Sequence, residues 1–296
     1  MFTELQHQKP VVSHLSRPSR YRLSVSDLPV PPALKPRRTT RRSWGHPRAI
    51  SALILREMAS RYGRNPGGYL WAVVEPLGMI LFLSLGFALM LRAPSLGNSF
   101  LLFYATGYLP YNLFLKTSRM VMTSINFSSN LLKYPAVTWF DAVIARAILH
   151  TLTETLVAYI LLAGILVTID SQTILDFGPI LISFVMAAFL GLGLGLVNCV
   201  FIGFVPVWLT IWNVFTRPLF LASGIIWIYS DLPQLAADIL WYNPLIHITG
   251  LARTGYYPTY EPRFISYVFV FGLASVFTAL GLVLMRRFHL EILNRK

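Results

Sequence analysis

Six long apolar stretches occupy most of the chain after residue 68, and they constrain the fold more than any other feature. A helix needs about 20 apolar residues to cross the hydrocarbon core of a bilayer. Backbone groups in lipid must bond within their own segment, which favours helices. The sequence therefore predicts an all-α integral membrane protein with six transmembrane helices. The stretches are Tyr69–Leu91, Ser99–Met122, Ala142–Ile169, Pro179–Phe204, Pro206–Tyr229 and Phe264–Met285.

Composition and charge distribution agree with a membrane protein. Charged residues make up 12% of the chain, against about 25% in a soluble domain. The net charge is +13, but Lys and Arg are grouped on alternate flanks of the stretches, so we expect no nucleic-acid partner. This alternation follows the positive-inside rule. It predicts that the N-terminus, the C-terminus and the 123–141 loop face the cytoplasm.

Two segments precede the first stretch. Residues 1–47 are rich in Pro, Arg and Ser and cannot bury enough apolar surface to fold alone. They predict a disordered basic cytoplasmic arm, either held near anionic headgroups or docking on a partner. Residues 48–64 carry apolar side chains at a four-residue spacing, which predicts an amphipathic helix in the interface plane. Glu57 is expected on its polar face, beside Arg61.

Three segments outside the stretches also carry a prediction. Residues 123–141 are expected to form a cytoplasmic loop whose short helix ends at Pro135 and either docks on a partner or lies on lipid. Residues 231–262 contain two short apolar pieces on either side of Asn243-Pro244, which predict a re-entrant periplasmic hairpin between spans five and six. Residues 286–296 are expected to be a cytoplasmic tail. The candidate docking residues of the loop are Asn130, Leu131, Leu132, Lys133 and Tyr134.

Titratable residues within the stretches are candidates for function, because charge at the centre of a bilayer is costly. They are Glu75, His150, Glu154 and Arg217. Glu154 and Arg217 fall at nearly the same depth of spans three and five, so they are candidates for an ion pair. The pair would be structural or would take part in the transport path. His150 is expected to be an ordinary buried hydrogen-bonding residue.

Aromatic side chains recur at helical spacing on spans two and five. Aromatic rings stack on the apolar faces of sugars, but packing and an interfacial aromatic belt are the competing interpretation. Gly191, Gly193 and Gly195 predict close approach of another helix. Cys199 is expected to be a small packing residue, and no Cys/His set has the spacing of a metal site. The aromatic residues are Phe100, Tyr104, Tyr108, Tyr111, Trp208, Trp212 and Phe215.

The residues of several short motifs, in their order along the chain, resemble those of one family. The sequence is similar to the membrane subunits of ABC-2 type exporters, and specifically to the branch that exports capsular polysaccharide. The resemblance covers roughly residues 48–296. The motifs are Arg61-Tyr62-Gly63-Arg64, Gly68-Tyr69-Leu70-Trp71-Ala72, Glu75-Pro76-Leu77, Leu132-Lys133-Tyr134-Pro135 and Tyr242-Asn243-Pro244-Leu245.

The resemblance implies how the chain would work. It implies a homodimer in the bacterial inner membrane, bound to two copies of a separate ABC ATPase that holds ATP and Mg²⁺. The 123–141 loop would then be the coupling element. The substrate would be a lipid-linked acidic polysaccharide, moved to the periplasm in cooperation with a periplasmic adaptor and an outer-membrane channel. The chain itself has no G-x-x-x-x-G-K-[ST] loop for phosphate, so we expect no cofactor and no catalysis from it alone.

Three alternatives stay open at this point. The chain could export another substrate, such as an O-antigen, a teichoic acid, a lipid or a drug. A glycan-processing enzyme would need paired carboxylates or a metal site, and Glu75 and Glu154 lie at different depths. An ion-coupled secondary transporter would show interrupted helices in matching positions of two repeats, whereas only residues 231–262 are interrupted.

Overall fold

The structure is a computed structural model that describes residues 45–62, 67–134, 136–169 and 175–295. These residues form helices and connecting turns, and no strand occurs among them. Predictions about residues 1–44, 63–66, 135, 170–174 and 296 lie outside the described residues. The helices are α1 Gly45–Tyr62, α2 Gly68–Ala88, α3 Phe100–Met122, α4 Ser124–Ser128, α5 Trp139–Thr168, α6 Phe177–Phe204, α7 Trp208–Ala222, α8 Gln234–Leu240, α9 Pro244–Thr254 and α10 Tyr267–Asn294.

Four helices of the described part are long and apolar enough to cross a membrane: α2, α5, α6 and α10. The other two predicted spans differ from them. Helix α3 has 23 residues but includes polar side chains, and most of its surface is buried by other helices. Helix α7 has only 15 residues, which is about 22 Å of helix. The predicted stretch Pro206–Tyr229 is therefore not one continuous helix, because regular helix ends at Ala222.

Side-chain caps explain where the helices begin. The Ser99 hydroxyl accepts a hydrogen bond from the backbone of Leu102 at the start of α3. Thr138 and Asp141 form a reciprocal capping box at the start of α5. Such caps satisfy backbone N–H groups that lack a partner within the helix. Asp176, Asn243 and Ser266 cap α6, α9 and α10 in the same way.

Helix α6 is the centre of the bundle, with α3 against one side and α10 against the other. Its glycines allow this contact, as the sequence predicted. A Cβ atom at Gly195 would lie 2.9 Å from the carbonyl oxygen of Ser118 on α3. One at Gly193 would lie 2.9 Å from the carbonyl oxygen of Ala274 on α10. Any side chain at these positions would force the helices apart.

The other helices pack around this three-helix centre. Helix α5 lies along α3, and α9 is almost wholly buried against α3 and α6. Helices α2 and α7 are peripheral and expose large apolar side chains, among them Phe82, Leu85 and Phe215. Helix α10 continues to Asn294, so residues 286–294 of the predicted tail belong to a long helix.

The glycine contacts give a test of this packing. Gly195→Ala should lower the thermal midpoint of the full-length protein in detergent, because overpacking a close contact costs about 1–3 kcal/mol. Gly272→Ala on α10 is the matched control, because a Cβ atom there meets nothing within 4 Å. It should leave the midpoint unchanged or raise it slightly. Equal midpoints for the two variants would contradict the arrangement.

Candidate functional site: charged contacts and the cytoplasmic connection

The predicted aromatic stripe of α3 lies inside the protomer. Tyr104 is buried, and its ring centroid lies 5.3 Å from that of Phe87 on α2. The Tyr111 hydroxyl donates to the carbonyl oxygen of Thr216 on α7 at 3.1 Å. Phe100 stacks against Tyr104. A sugar could reach these rings only if α2 and α7 moved away from α3, so the stacking role stays a prediction.

The three candidate aromatic residues on α7 have different environments. The Trp208 indole N–H donates to the side-chain oxygen of Asn198 on α6 at 2.8 Å, and its ring packs on Phe201. Trp212 is half-buried, whereas Phe215 is 65% exposed on the outer face of the helix. Phe215 is therefore the member of the predicted set that another molecule can contact in this conformation.

Lys116 on α3 joins the two predicted membrane carboxylates. Its ammonium group lies 3.1 Å from the carboxylate of Glu75 on α2 and 3.3 Å from that of Glu154 on α5. The amide of Asn112 donates to the other oxygen of Glu154 at 2.8 Å. The Tyr108 hydroxyl donates to the oxygen of Asn112 at 3.5 Å. One polar network therefore crosses from buried Tyr108 to exposed Glu75 and ties three helices together.

The proposed ion pair between Glu154 and Arg217, both of which the structure describes, is wrong. Glu154 is buried and bonds Lys116, whereas Arg217 is exposed on α7. Two residues at the same depth of two helices are neighbours only if the helices pack against each other. Helix α5 packs on α3, while α7 packs mainly on α6. The pattern of the sequence did not single out Lys116 as a partner for either carboxylate.

The analysis of the sequence missed a second buried cluster that joins α1 to α5. Glu57 is 3% exposed, although it was expected on the polar face of α1. The Arg146 Nε lies 3.0 Å from both oxygens of the Glu57 carboxylate. The His150 Nε2 lies 3.3 Å from one of them, so the expected role of His150 as a buried hydrogen-bonding residue is confirmed. The signal in the sequence was a lone Arg one turn before a lone His at the start of an apolar stretch.

Burial and pairing have opposite effects on the pKa of Glu57. Burial raises it, but the hydrogen bond from His150 and the charge of Arg146 outweigh burial and bring it below its ordinary value of 4.5. A lowered carboxylate pKa stabilises the fold above the unfolded-state pKa. That stabilisation is lost as the pH falls through the folded-state pKa, so it is fully present at neutral pH.

The same arginine reaches the loop after α3. Arg146 donates to the Thr123 hydroxyl at 2.9 Å, and its guanidinium lies 4.5 Å from the ring centroid of Phe127 in α4. Leu53 of α1 packs in a small core with Leu131 and Leu132. Helix α1, the 123–134 segment and α5 are therefore one packed unit.

The candidate coupling residues occupy two kinds of position. The short helix lies at Ser124–Ser128, before the residues for which it was predicted. Leu131 and Leu132 are half-buried in the core just described, so they anchor the loop. Asn130, Lys133 and Tyr134 are exposed, and Tyr134 is 64% exposed. Only these last three present a surface to a partner.

The segment after α7 is held by one buried arginine. Arg253 on α9 is 1% exposed. Its guanidinium donates to the carbonyl oxygens of Gly224 and Ile225 at 2.7 and 2.8 Å, and it lies 4.2 Å from the Phe103 ring centroid. Carbonyl groups that no helix satisfies are thus bonded inside the protein.

Comparisons with known proteins decide the family. The description "ABC-2 type transporter" belongs to the family profile that matches residues 48–257. The chain is a member of the ABC-2 type transporter family.

The chain is also similar to named transport proteins. It is 30% identical over 237 residues to the polysialic acid transport protein KpsM of Escherichia coli, and the match covers 79% of this chain and 91% of that protein. It is 31% identical over 240 residues to the capsule polysaccharide export inner-membrane protein CtrC of Neisseria meningitidis serogroup B, covering 77% and 90%. It is 32% identical over 247 residues to the capsule polysaccharide export inner-membrane protein BexB of Haemophilus influenzae, covering 81% and 91%.

The charged contacts belong to the ABC-2 region of the chain. Glu57, Lys116, Arg146, Glu154 and Arg253 all fall within the matched residues 48–257. Among the residues that the structure describes, no three His, Cys, Asp or Glu side chains come together as a metal site would require.

The Glu57–Arg146 pair predicts a strong effect of a single change. Arg146→Gln should lower the thermal midpoint markedly, because an uncompensated buried carboxylate costs about 3–5 kcal/mol. Adding Glu57→Gln should recover part of the loss. The Glu291–Arg295 pair at the end of α10 is the control, because both side chains are half-exposed. Arg295→Gln should cost less than about 1 kcal/mol, and equal losses at the two sites would contradict the burial argument.

Proposed function

We propose that the chain is the membrane-spanning permease subunit of an ATP-driven exporter that moves a lipid-linked acidic capsular polysaccharide from the cytoplasm to the periplasm. The observation that carries the proposal is the similarity to KpsM, CtrC and BexB, which extends over about nine-tenths of each relative. Their names place two of them in the inner membrane and all of them in polysaccharide transport. Residues 1–47 lie before the family match and contribute nothing to the argument.

In this proposal α3 and α7 complete six spans, with both termini and the 123–134 segment in the cytoplasm of a bacterial inner membrane. Helix α3 can carry polar side chains through the bilayer because neighbouring helices cover most of it. The short α7 is extended by the non-helical residues 223–228. Backbone of that kind is tolerated at membrane depth where protein satisfies it, as Arg253 does.

Two further placements follow from the same topology. Helices α8 and α9 would form a re-entrant hairpin from the periplasmic side, with α9 buried against α3 and α6. Helix α1 would lie in the cytoplasmic interface plane, with Leu53 facing α5 and Leu55 exposed.

The working unit would be a homodimer with the polymer passing between the two copies. Peripheral helices α2 and α7 expose apolar and aromatic side chains that a second copy would cover, including Trp71, Phe82 and Phe215. Sugar rings could stack on Phe215 directly, and on Tyr104, Tyr108 and Tyr111 after α2 and α7 move. The polar network around Lys116 would be the charged part of this region.

Energy would come from two ABC ATPase subunits, which would hold ATP and Mg²⁺. The sequence of this chain has no phosphate-binding loop of its own. Exposed Asn130, Lys133 and Tyr134 would contact the ATPase, and the unit built around Arg146 would transmit its movement to α5. A periplasmic adaptor and an outer-membrane channel would carry the polymer onward.

Deletion of the gene in a capsulated host tests this function. Capsular polysaccharide should disappear from the cell surface and accumulate inside the cell, and the intact gene should restore it. The polymer that accumulates distinguishes a capsule exporter from an exporter of O-antigen or teichoic acid. A normal surface capsule in the deletion strain would contradict the proposal.

The exposed ring of Tyr134 gives a sharper test of the coupling surface. Tyr134→Asp should abolish co-purification of the ATPase and reduce surface polysaccharide, because it places a charge in an apolar contact. Tyr134→Phe keeps the ring and should retain both. Unlike Leu132→Asp, this change does not enter the core, so the abundance of the protein in the membrane should be unchanged. Normal export by Tyr134→Asp would show that the ATPase binds elsewhere.

A further inference from the structure

A half-open cleft of about 500 Å³ lies between α1, α3, α4, α5 and the start of α7. It is separate from the buried network around Lys116. Arginine, hydroxyl and amide side chains line it together with one phenylalanine ring. Its principal lining residues are Ser60, Arg119, Thr123, Phe127, Arg146 and Asn213.

The cleft has more positive than negative charge. Its one carboxylate, Glu57, is bonded by Arg146 and His150. Arg56 is not a lining residue, but its guanidinium lies 5.3 Å from the centroid of the Phe127 ring that lines the cleft, on the exposed side of α1.

A third guanidinium stands on the wall opposite α1. Arg119 of α3 is exposed and donates to the neutral side-chain oxygen of Asn213 on α7. Among the ion pairs of the described residues, none includes Arg56 or Arg119. The charges of Arg56 and Arg119 are therefore not balanced by a carboxylate of the cleft, and such a concavity attracts anions.

We propose that this cleft binds the phosphate group of a lipid headgroup, with Arg56 and Arg119 as its charged ligands. Guanidinium groups match the geometry of phosphate oxygens and bond them in pairs. The volume exceeds that of a phosphate, so the group attached to it can enter as well. The inference rests on the proposed function only in placing the cleft at the cytoplasmic leaflet, where phosphate is the common anion.

Binding would have a consequence for α7. The Arg119 guanidinium that would bond the phosphate also donates to the side-chain oxygen of Asn213 on α7. A bound headgroup would therefore act directly on a polar contact between α3 and the peripheral helix α7. Occupancy of the cleft would thereby change how firmly α7 is held.

A binding experiment on the purified full-length chain in a neutral detergent tests the site. The probe is dihexanoyl phosphatidic acid, followed by native mass spectrometry, with dihexanoylglycerol, which has the same acyl chains and no phosphate, as the neutral lipid. Arg56→Gln and Arg119→Gln should each weaken binding of the phosphatidic acid about tenfold, as expected for loss of a charge-assisted hydrogen bond. Arg119→Lys, which keeps the charge, should bind more tightly than Arg119→Gln.

Arg287→Gln is the matched control. Arg287 is also exposed, lies 5.5 Å from the centroid of the Phe288 ring, and is outside the cleft. It should bind the probe as the unchanged protein does. Added inorganic phosphate distinguishes the source of the anion. Displacement of the lipid at equal concentration would identify a site for free phosphate, and failure to displace it would identify a lipid headgroup site.

Three results would overturn the proposal: equal loss in Arg287→Gln, equal binding of dihexanoylglycerol, or unchanged binding in Arg119→Gln. A thermal midpoint measured for each variant separates loss of binding from loss of folding. The experiment does not measure export. Its failure would leave the proposed export function untouched, and failure of export in the deletion experiment would leave the binding site untouched.

Discussion

The close approach of α6 to α3 and α10 is the contact on which the rest of the structure depends. Gly195 and Gly193 place backbone against backbone on opposite sides of α6, and this fixes a three-helix scaffold at the centre of the protein. Helices α2 and α7 lie outside that scaffold, and polar bonds contribute to their attachment. Lys116 bonds α2 through Glu75, and Arg119 bonds α7 through Asn213. Polar contacts exchange partners more readily than close-packed backbones do, so movement is expected at the periphery.

Helix α1 shows a different kind of attachment. Glu57 and Arg146 form a buried pair that joins α1 to α5, while Thr123 and Phe127 connect it to the segment after α3. Breaking a buried pair is costly because one charge remains uncompensated. Helix α1, the 123–134 segment and α5 should therefore move together. A movement of the exposed 123–134 segment would therefore be transmitted to α5.

Patterns along the chain predicted most of the helices, because apolar length and periodicity are properties of one segment at a time. The glycine contacts of α6 were predicted for the same reason. Ion pairs between side chains of different helices were not predicted correctly. Glu57 was assigned to a polar face, and Glu154 to Arg217, because spacing alone does not say which helices are neighbours. Arg253, whose partners are backbone carbonyl groups, left no pattern in the sequence that could have identified its role.

Transport in sealed proteoliposomes measures the central claim most directly. The full-length chain is reconstituted with the ABC ATPase proposed as its partner, and lipid-linked polysaccharide and ATP are supplied on the outside. Polymer that enters the lumen becomes protected from an added polysaccharide-degrading enzyme. The account predicts protection only when both proteins and hydrolysable ATP are present, and none with this chain alone. Protection without the ATPase, or none with the complete system, would contradict it.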